Sequence, residues 1–381
     1  MTVNLDASAA PPRRRVWDLP VRIVHGLLIA CVAGAWLTRE GQLFDLHAVF
    51  GYCALGLVVF RVAWGFWGSR HSRFDSFAYS PREAFAYLAG AVRGRARHYT
   101  GHNPAGSWAV FALLALLGAT TLTGVIVVGA LYGEGPIAAT SSFALTDILL
   151  DWHVGLAWAV LGFAAFHVLG VVWGSRVHRE NLAAAMVTGR KAVHDDDTGD
   201  APLRGTVAAA VAIAVAAIGL AYLLLWSPRD TERRTRDEDL HRAALKAQAW
   251  SKECGGCHLA YSPALLPFTS WQRTIDEQDR HFGEDLGLTA AAGQRLLDHA
   301  RKEAPPSWAA WKLASSAGPG KPPLEITATA FWRDAHASLP EAAFKPPVSA
   351  GRHECEACHR DAGSGIFHPR MIHMAKGRVG N

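Results

Sequence analysis

Several signatures are missing from the sequence. It has no Gly-rich phosphate loop, no nucleotide fingerprint and no hydrolase-type nucleophile motif. A flavin or nicotinamide partner would therefore have to sit on another chain, and no catalytic acid, base or nucleophile is assigned. Charge is scarce too, at 19% of the residues, while half of the 381 residues are hydrophobic. The mean hydropathy of +0.09 is too high for an ordinary soluble protein and too low for a pure membrane bundle, so the chain is expected to be part membrane, part soluble. There are only six cysteines. Cys31 and Cys53 fall in apolar runs with no partner at metal-ligand spacing and read as small core residues; the other four form the two motifs taken up below.

Five apolar runs are long enough to cross a bilayer: 19–37, 46–68, 107–132, 148–174 and 206–226. No small-residue cleavage site follows the first, which makes it a retained signal anchor. The basic residues are unevenly placed. Arg13, Arg14 and Arg15 precede the first run; Arg70, Arg73, Arg82, Arg93, Arg95 and Arg97 lie between the second and third; Arg176, Arg179, Arg190, Lys191 and Arg204 lie between the fourth and fifth. The positive-inside rule makes these segments cytoplasmic and puts everything after the fifth run outside. Topology accounts for the basic clusters, so no nucleic-acid partner is expected. The expected setting is the bacterial inner membrane, with the N-terminus cytoplasmic and the C-terminal domain periplasmic.

Residues 148–174 hold two histidines, His153 and His167. At about 100° per residue their spacing falls roughly 40° short of four turns, so both leave one face of a helix, about 21 Å apart along its axis. His25 lies in the inner half of the first run and His47 near the outer end of the second. The depths therefore pair: His25 with His167, and His47 with His153. Imidazoles inside a span are costly and mark function, and neutral imidazole is an axial ligand for haem iron. The competing reading of any one of them is a histidine hydrogen-bonded within the bundle. Four at two matched depths favour one haem near each surface. Arg61 follows His47 by the same spacing, which suits either a contact to haem propionates or snorkelling to headgroups.

Outside these runs, residues 1–15 read as a disordered cytoplasmic N-terminus, 81–92 as a short amphipathic helix on the inner surface, 193–204 as a cytoplasmic linker and 228–249 as a connector. The fifth run, within 205–227, has no ionisable residue and reads as a tether for the domain 250–381. The segment 16–192 resembles the bacterial cytochrome b561 family and the related hydrogenase-associated b-type cytochromes. The matching residues are VWDLPVRIVHG, GHNPAGSWAVFALLALLGATTLTG, the two-histidine fourth run and SRVHRENLAAAMVTGRK. The resemblance implies a four-helix transmembrane bundle with two bis-histidine b haems on His25, His47, His153 and His167. Gly26 and Val154 stand where that family often has tryptophan and an acidic residue.

Cys254, Cys257 and His258, and again Cys355, Cys358 and His359, form CxxCH, the attachment signature of c-type haem. Two thiols on one short turn can form thioethers to the haem edge while the next residue aims an imidazole at the iron. Histidine directly after both second cysteines argues against zinc or a redox pair. For the sixth ligands, His281, His299, His336, His353, His368 and His373 are available, with Met371 and Met374 as softer donors. CGGCHLAYSPALLPFTSW, DRHFGEDLGL, ITATAFWRDAH and CEACHRDAGSGIF resemble the dihaem cytochrome c family. That resemblance implies bis-histidine ligation and points to His281 for the first haem and His336 for the second. His299, on an amphipathic helix begun at Thr289, is expected on a solvated face.

The expected fold is all-α: a four-helix di-haem b bundle, a fifth transmembrane helix and a mostly helical di-haem c domain. The expected function is electron transfer from membrane quinol through two b haems to two covalent c haems and a soluble periplasmic redox partner, as a quinol:cytochrome c-type oxidoreductase. The alternative is an anchor and relay subunit for a separate periplasmic dehydrogenase or reductase.

Overall fold

The computed structural model describes residues 13–39, 43–132, 143–192, 249–303, 305, 307–368 and 371–372, together with 210, 213–214 and 217. The linker, the connector up to residue 248, most of the fifth run, His373 and Met374 lie outside the described residues. The chain divides into two compact units, one of Met1–Val127 with Asp147–Trp226, the other of Val128–Thr146 with Ser227–Asn381.

In the first unit, four helices are long and apolar enough to cross a membrane. They are α1 (Leu19–Leu37), α2 (Phe44–Trp67), α4 (Pro104–Tyr132) and α5 (Phe143–Val177). Each coincides with an expected run. Asp18 caps α1 by accepting from Val21 N–H at 2.9 Å, with proline in the first turn. α1 and α2 pack through Val24, Cys31, Ala54 and Leu57, and Ile213 joins the same cluster. Gly34 permits the approach, since a Cβ there would fall 2.6 Å from the Phe50 ring.

The connection between α2 and α4 contains α3 (Pro81–Val92), opened by a capping box between Ser80 and Glu83. Phe85, Leu88 and Val92 form an exposed apolar stripe along it, as the amphipathic reading expects. After α5, Asn181 caps the short α6 (Leu182–Thr188), and Gly189 ends it in the left-handed conformation at φ +77°. Residues 13–15, expected in a disordered N-terminus, are instead ordered. β1 (Arg13–Arg15) pairs antiparallel with β2 (Arg190–Ala192), and the N–H groups of Val16 and Trp17 both donate to Gly189 O. The pairing gives backbone partners to a segment that must enter α1 at a fixed place.

The second unit's described helices are α7 (Ala249–Cys254), α8 (Phe268–Asp276), α9 (Ala290–Lys302), α10 (Trp308–Ser315) and α11 (Ala330–His336). Thr289, Ser307 and Thr329 supply side-chain caps to the last three. One core cluster centres on Leu265, Ala310, Leu313 and Trp332, the other on Trp250, Leu296 and Ala300. Short turns carry the rest, including the 3-10 turn Cys355–Ala357 inside the second CxxCH.

Candidate functional site

The four histidines of the first unit meet in two layers. His25 on α1 and His167 on α5 have ring centroids 6.4 Å apart; His47 on α2 and His153 on α5 are 6.1 Å apart. The second unit repeats the arrangement. His258 and His281 are 6.3 Å apart, and His336 and His359 are 6.1 Å apart. Two metal–imidazole bonds of about 2.0–2.1 Å, plus roughly 1.1 Å from each bound nitrogen to its ring centre, put opposed centroids about 6.3 Å apart. All four pairs therefore fit one metal atom between two imidazoles.

The ring orientations are fixed by what the other nitrogen touches. Nδ1 of His47 lies 2.8 Å from Ala35 O, Nδ1 of His153 2.9 Å from Thr120 O, Nδ1 of His258 2.7 Å from Leu259 O, and Nδ1 of His336 2.8 Å from Trp332 O. A carbonyl oxygen only accepts, so each of these Nδ1 atoms carries the proton and donates. That leaves the Nε2 lone pair for a metal. α4 holds none of the four histidines, yet it supplies the carbonyl of Thr120 and a gap at Gly124, where a Cβ would come within 3.0 Å of the His153 ring. Sequence reasoning missed both contributions. A backbone carbonyl has no residue signature, and one glycine in an apolar helix has no spacing to read.

None of the four CxxCH cysteines is in a disulfide. Burial, with a smaller contribution from Glu253, pushes Cys254 up to about 11. Burial also pushes Cys355 up to about 11. Tyr261 joins the two motifs: its ring lies 5.2 Å from that of His258, and its hydroxyl donates to His353 O.

Two expectations change. His299 does not lie on a solvated face. It follows Leu296 by one turn of α9, its ring packs 5.6 Å from Trp250, and its Nε2 is buried without a hydrogen-bond partner among the described residues. The apolar stripe of α9 is wide enough to include it. Arg61 does not snorkel. It is 7% exposed, and its guanidinium lies 5.2 Å over the Phe74 ring. Near two other candidate sixth ligands the backbone is tied down: the main-chain N–H of His368 donates to Asp361 Oδ2 at 2.6 Å and that of Met371 to His368 O at 2.8 Å.

The family model for prokaryotic cytochrome b561 matches residues 16–189, and that for dihaem cytochrome c matches residues 250–367. No curated protein matches the chain significantly. Among solved structures, a dihaem cytochrome c from Shewanella baltica OS155 is 25% identical, with 36% of this chain and 98% of that chain covered and a TM-score of 0.28. Two structures of a dihaem cytochrome c from Rhodobacter sphaeroides are 28% and 29% identical. Both cover 31% of this chain, with 95% and 94% of theirs, at TM-scores of 0.25 and 0.27. The b561 match implies interaction with membrane and quinone. The chain thus joins a prokaryotic cytochrome b561 segment, which binds b haems, to a dihaem cytochrome c segment, which binds two c haems, and its role is transmembrane electron transfer.

Proposed function

We propose that the protein takes electrons from membrane quinol and passes them through two b haems and two c haems to a soluble periplasmic redox protein, acting as a quinol:cytochrome c-type oxidoreductase. The observation that carries this reading is the set of four imidazole pairs with centroids 6.1–6.4 Å apart. His25 and His167 hold the inner b haem, and His47 and His153 the outer one. Cys254, Cys257, His258 and His281 hold the first c haem; Cys355, Cys358, His359 and His336 hold the second. When bound, these groups accept and release single electrons. The chain's own part is ligation, orientation and exclusion of water, with Ala35, Thr120, Leu259 and Trp332 setting the proton on four of the eight rings.

Orientation in a bacterial inner membrane, with the c segment periplasmic, is supported by the arginine-rich segments around Arg13–Arg15, Arg70 to Arg97 and Arg176 to Arg190. The exposed stripe Phe85, Leu88 and Val92 on α3 suits a helix lying in the headgroup layer on that same side.

Haem quantification on purified full-length protein tests the reading. Pyridine haemochrome spectra should give b and c haem in equal amounts, two of each per chain, all low-spin. A c-only spectrum, or a high-spin b signal, would contradict the ligand pairs.

A further inference from the structure

Two nitrogen groups, the guanidinium of Arg61 and the imidazole of His102, are buried at the cytoplasmic end of the first unit with no hydrogen-bond partner among the described residues. Arg61 is one. Its Nη1 is buried and has no hydrogen-bond partner among the described residues. A guanidinium stays charged at any physiological pH, and a buried charge is costly unless a counter-ion and hydrogen bonds meet it. Asp18, the carboxylate that acts on Arg61 from a distance, is already occupied. It accepts from Val21 N–H and Trp64 Nε1 at 2.9 Å, from Ser69 Oγ at 2.5 Å and from Ser72 Oγ at 2.6 Å. Those bonds fill its acceptor positions.

His102 is the other. Its ring sits 4.7 Å from Trp17 and 4.2 Å from Phe77, and its Nδ1 is buried without a partner among the described residues. Phe77 lies 5.8 Å from Phe74, the ring beneath Arg61, so the two donors border one aromatic cluster. Burial first, then Arg61, Lys191, His71 and His167, push His102 down to about 3. Every charged neighbour in that series is basic, and the last is a member of the inner imidazole pair. One aromatic cluster therefore gathers positive charge and unused ring and guanidinium nitrogens.

We propose that Arg61 and His102 form a carboxylate-binding site for the propionates of the haem held between His25 and His167. The assignment rests on the proposed role of that pair. The propionates are the anionic edge of an otherwise apolar group and must leave the hydrocarbon layer at a site of this charge. Arg61 follows His47 by 14 residues, the same step that separates His153 from His167, which puts Arg61 at the inner layer's depth.

The test uses full-length haem-loaded protein in detergent, carrying Arg61→Gln, Arg61→Lys or His102→Gln, with haem content and both b-haem reduction equilibria measured by spectroscopic titration. A separate His25→Leu variant identifies the inner couple as the one it removes. A positive charge near the propionates favours the reduced state. Arg61→Gln should therefore shift the inner equilibrium at least tenfold toward oxidised, about 59 mV for one electron, and leave the outer couple in place. His102→Gln should move the same couple in the same direction by less, and Arg61→Lys should restore most of the shift. Loss of the inner haem alone in Arg61→Gln would also support the site. Inner and outer equilibria unchanged in Arg61→Gln and His102→Gln, or moved equally, would overturn it. If Arg61→Gln does not fold, His102→Gln decides by the same criterion. Wild-type protein without b haem would instead overturn the assignment of the imidazole pair itself.

Discussion

A hydrogen bond at one ring nitrogen fixes the tautomer and leaves the other nitrogen to a metal. At the His47–His153 pair that bond comes from two different helices, from Ala35 O for His47 and Thr120 O for His153. The two layers share α5 but otherwise draw on different helices, so they should fail separately. His47→Leu is expected to remove one b haem and leave the other, halving the b absorbance at unchanged c absorbance in pyridine haemochrome spectra; loss of both b haems would mean the layers are not independent. The histidine positions were legible because a 14-residue step has a fixed geometrical meaning in a helix. His299 was not, because membership of α9's apolar stripe depends on Trp250 across the fold. The burial of Arg61 was not either, since a long side chain three residues before Trp64 can turn inward or outward, and Phe74 decides which.

Among the elements, the spans follow from hydropathy, and the starts of α1 and α3 from the capping residues Asp18 and Ser80. What hydropathy could not supply is the closure made by β1, β2 and the segments beside them, which joins residues far apart in sequence. β1 and β2 are three-residue strands rich in arginine and lysine, with no alternation to read. Beside them Lys191 Nζ donates to Tyr99 O at 2.6 Å and pairs with Glu180 at 3.5 Å, while Glu180 also meets His98 at 3.3 Å. The Lys191 and Glu180 side chains are 6% and 12% exposed. Glu180→Gln leaves a buried ammonium without its counter-charge and should cost about 3 kcal/mol, measurable by chemical denaturation in detergent. The same cluster responds to acid. His178, which shares a hydrogen bond of 3.1 Å with Tyr87, is held below its ordinary pKa by burial and then by His98 and Lys191, with Glu180 opposing. The unfolded chain therefore takes up this proton first, and stability contributed here falls as pH drops below about 6.5. Thermal unfolding between pH 7.5 and 5 should show that slope, and His178→Gln should flatten it.

At the scale of the whole chain, two segments with independent family matches, residues 16–189 and 250–367, each bring histidines into pairs of one geometry. The CxxCH motifs made the second segment legible from local sequence alone. The rings facing His258 and His359 were less so, because His281 and His336 reach them through turns. His281 pairs its backbone with Glu284 in an isolated bridge, and His336 closes α11. If quinol is the donor, the b haems stand between it and the c haems. The direct test is rapid anaerobic mixing of a quinol with oxidised full-length protein while the b and c α-bands are followed. Reduction of b haem before c haem, with the c phase abolished by His47→Leu or His25→Leu, is the predicted result. Reduction of c haem while b haem stays oxidised, or no reaction without a second protein, would contradict a conduit running from quinol through the membrane segment.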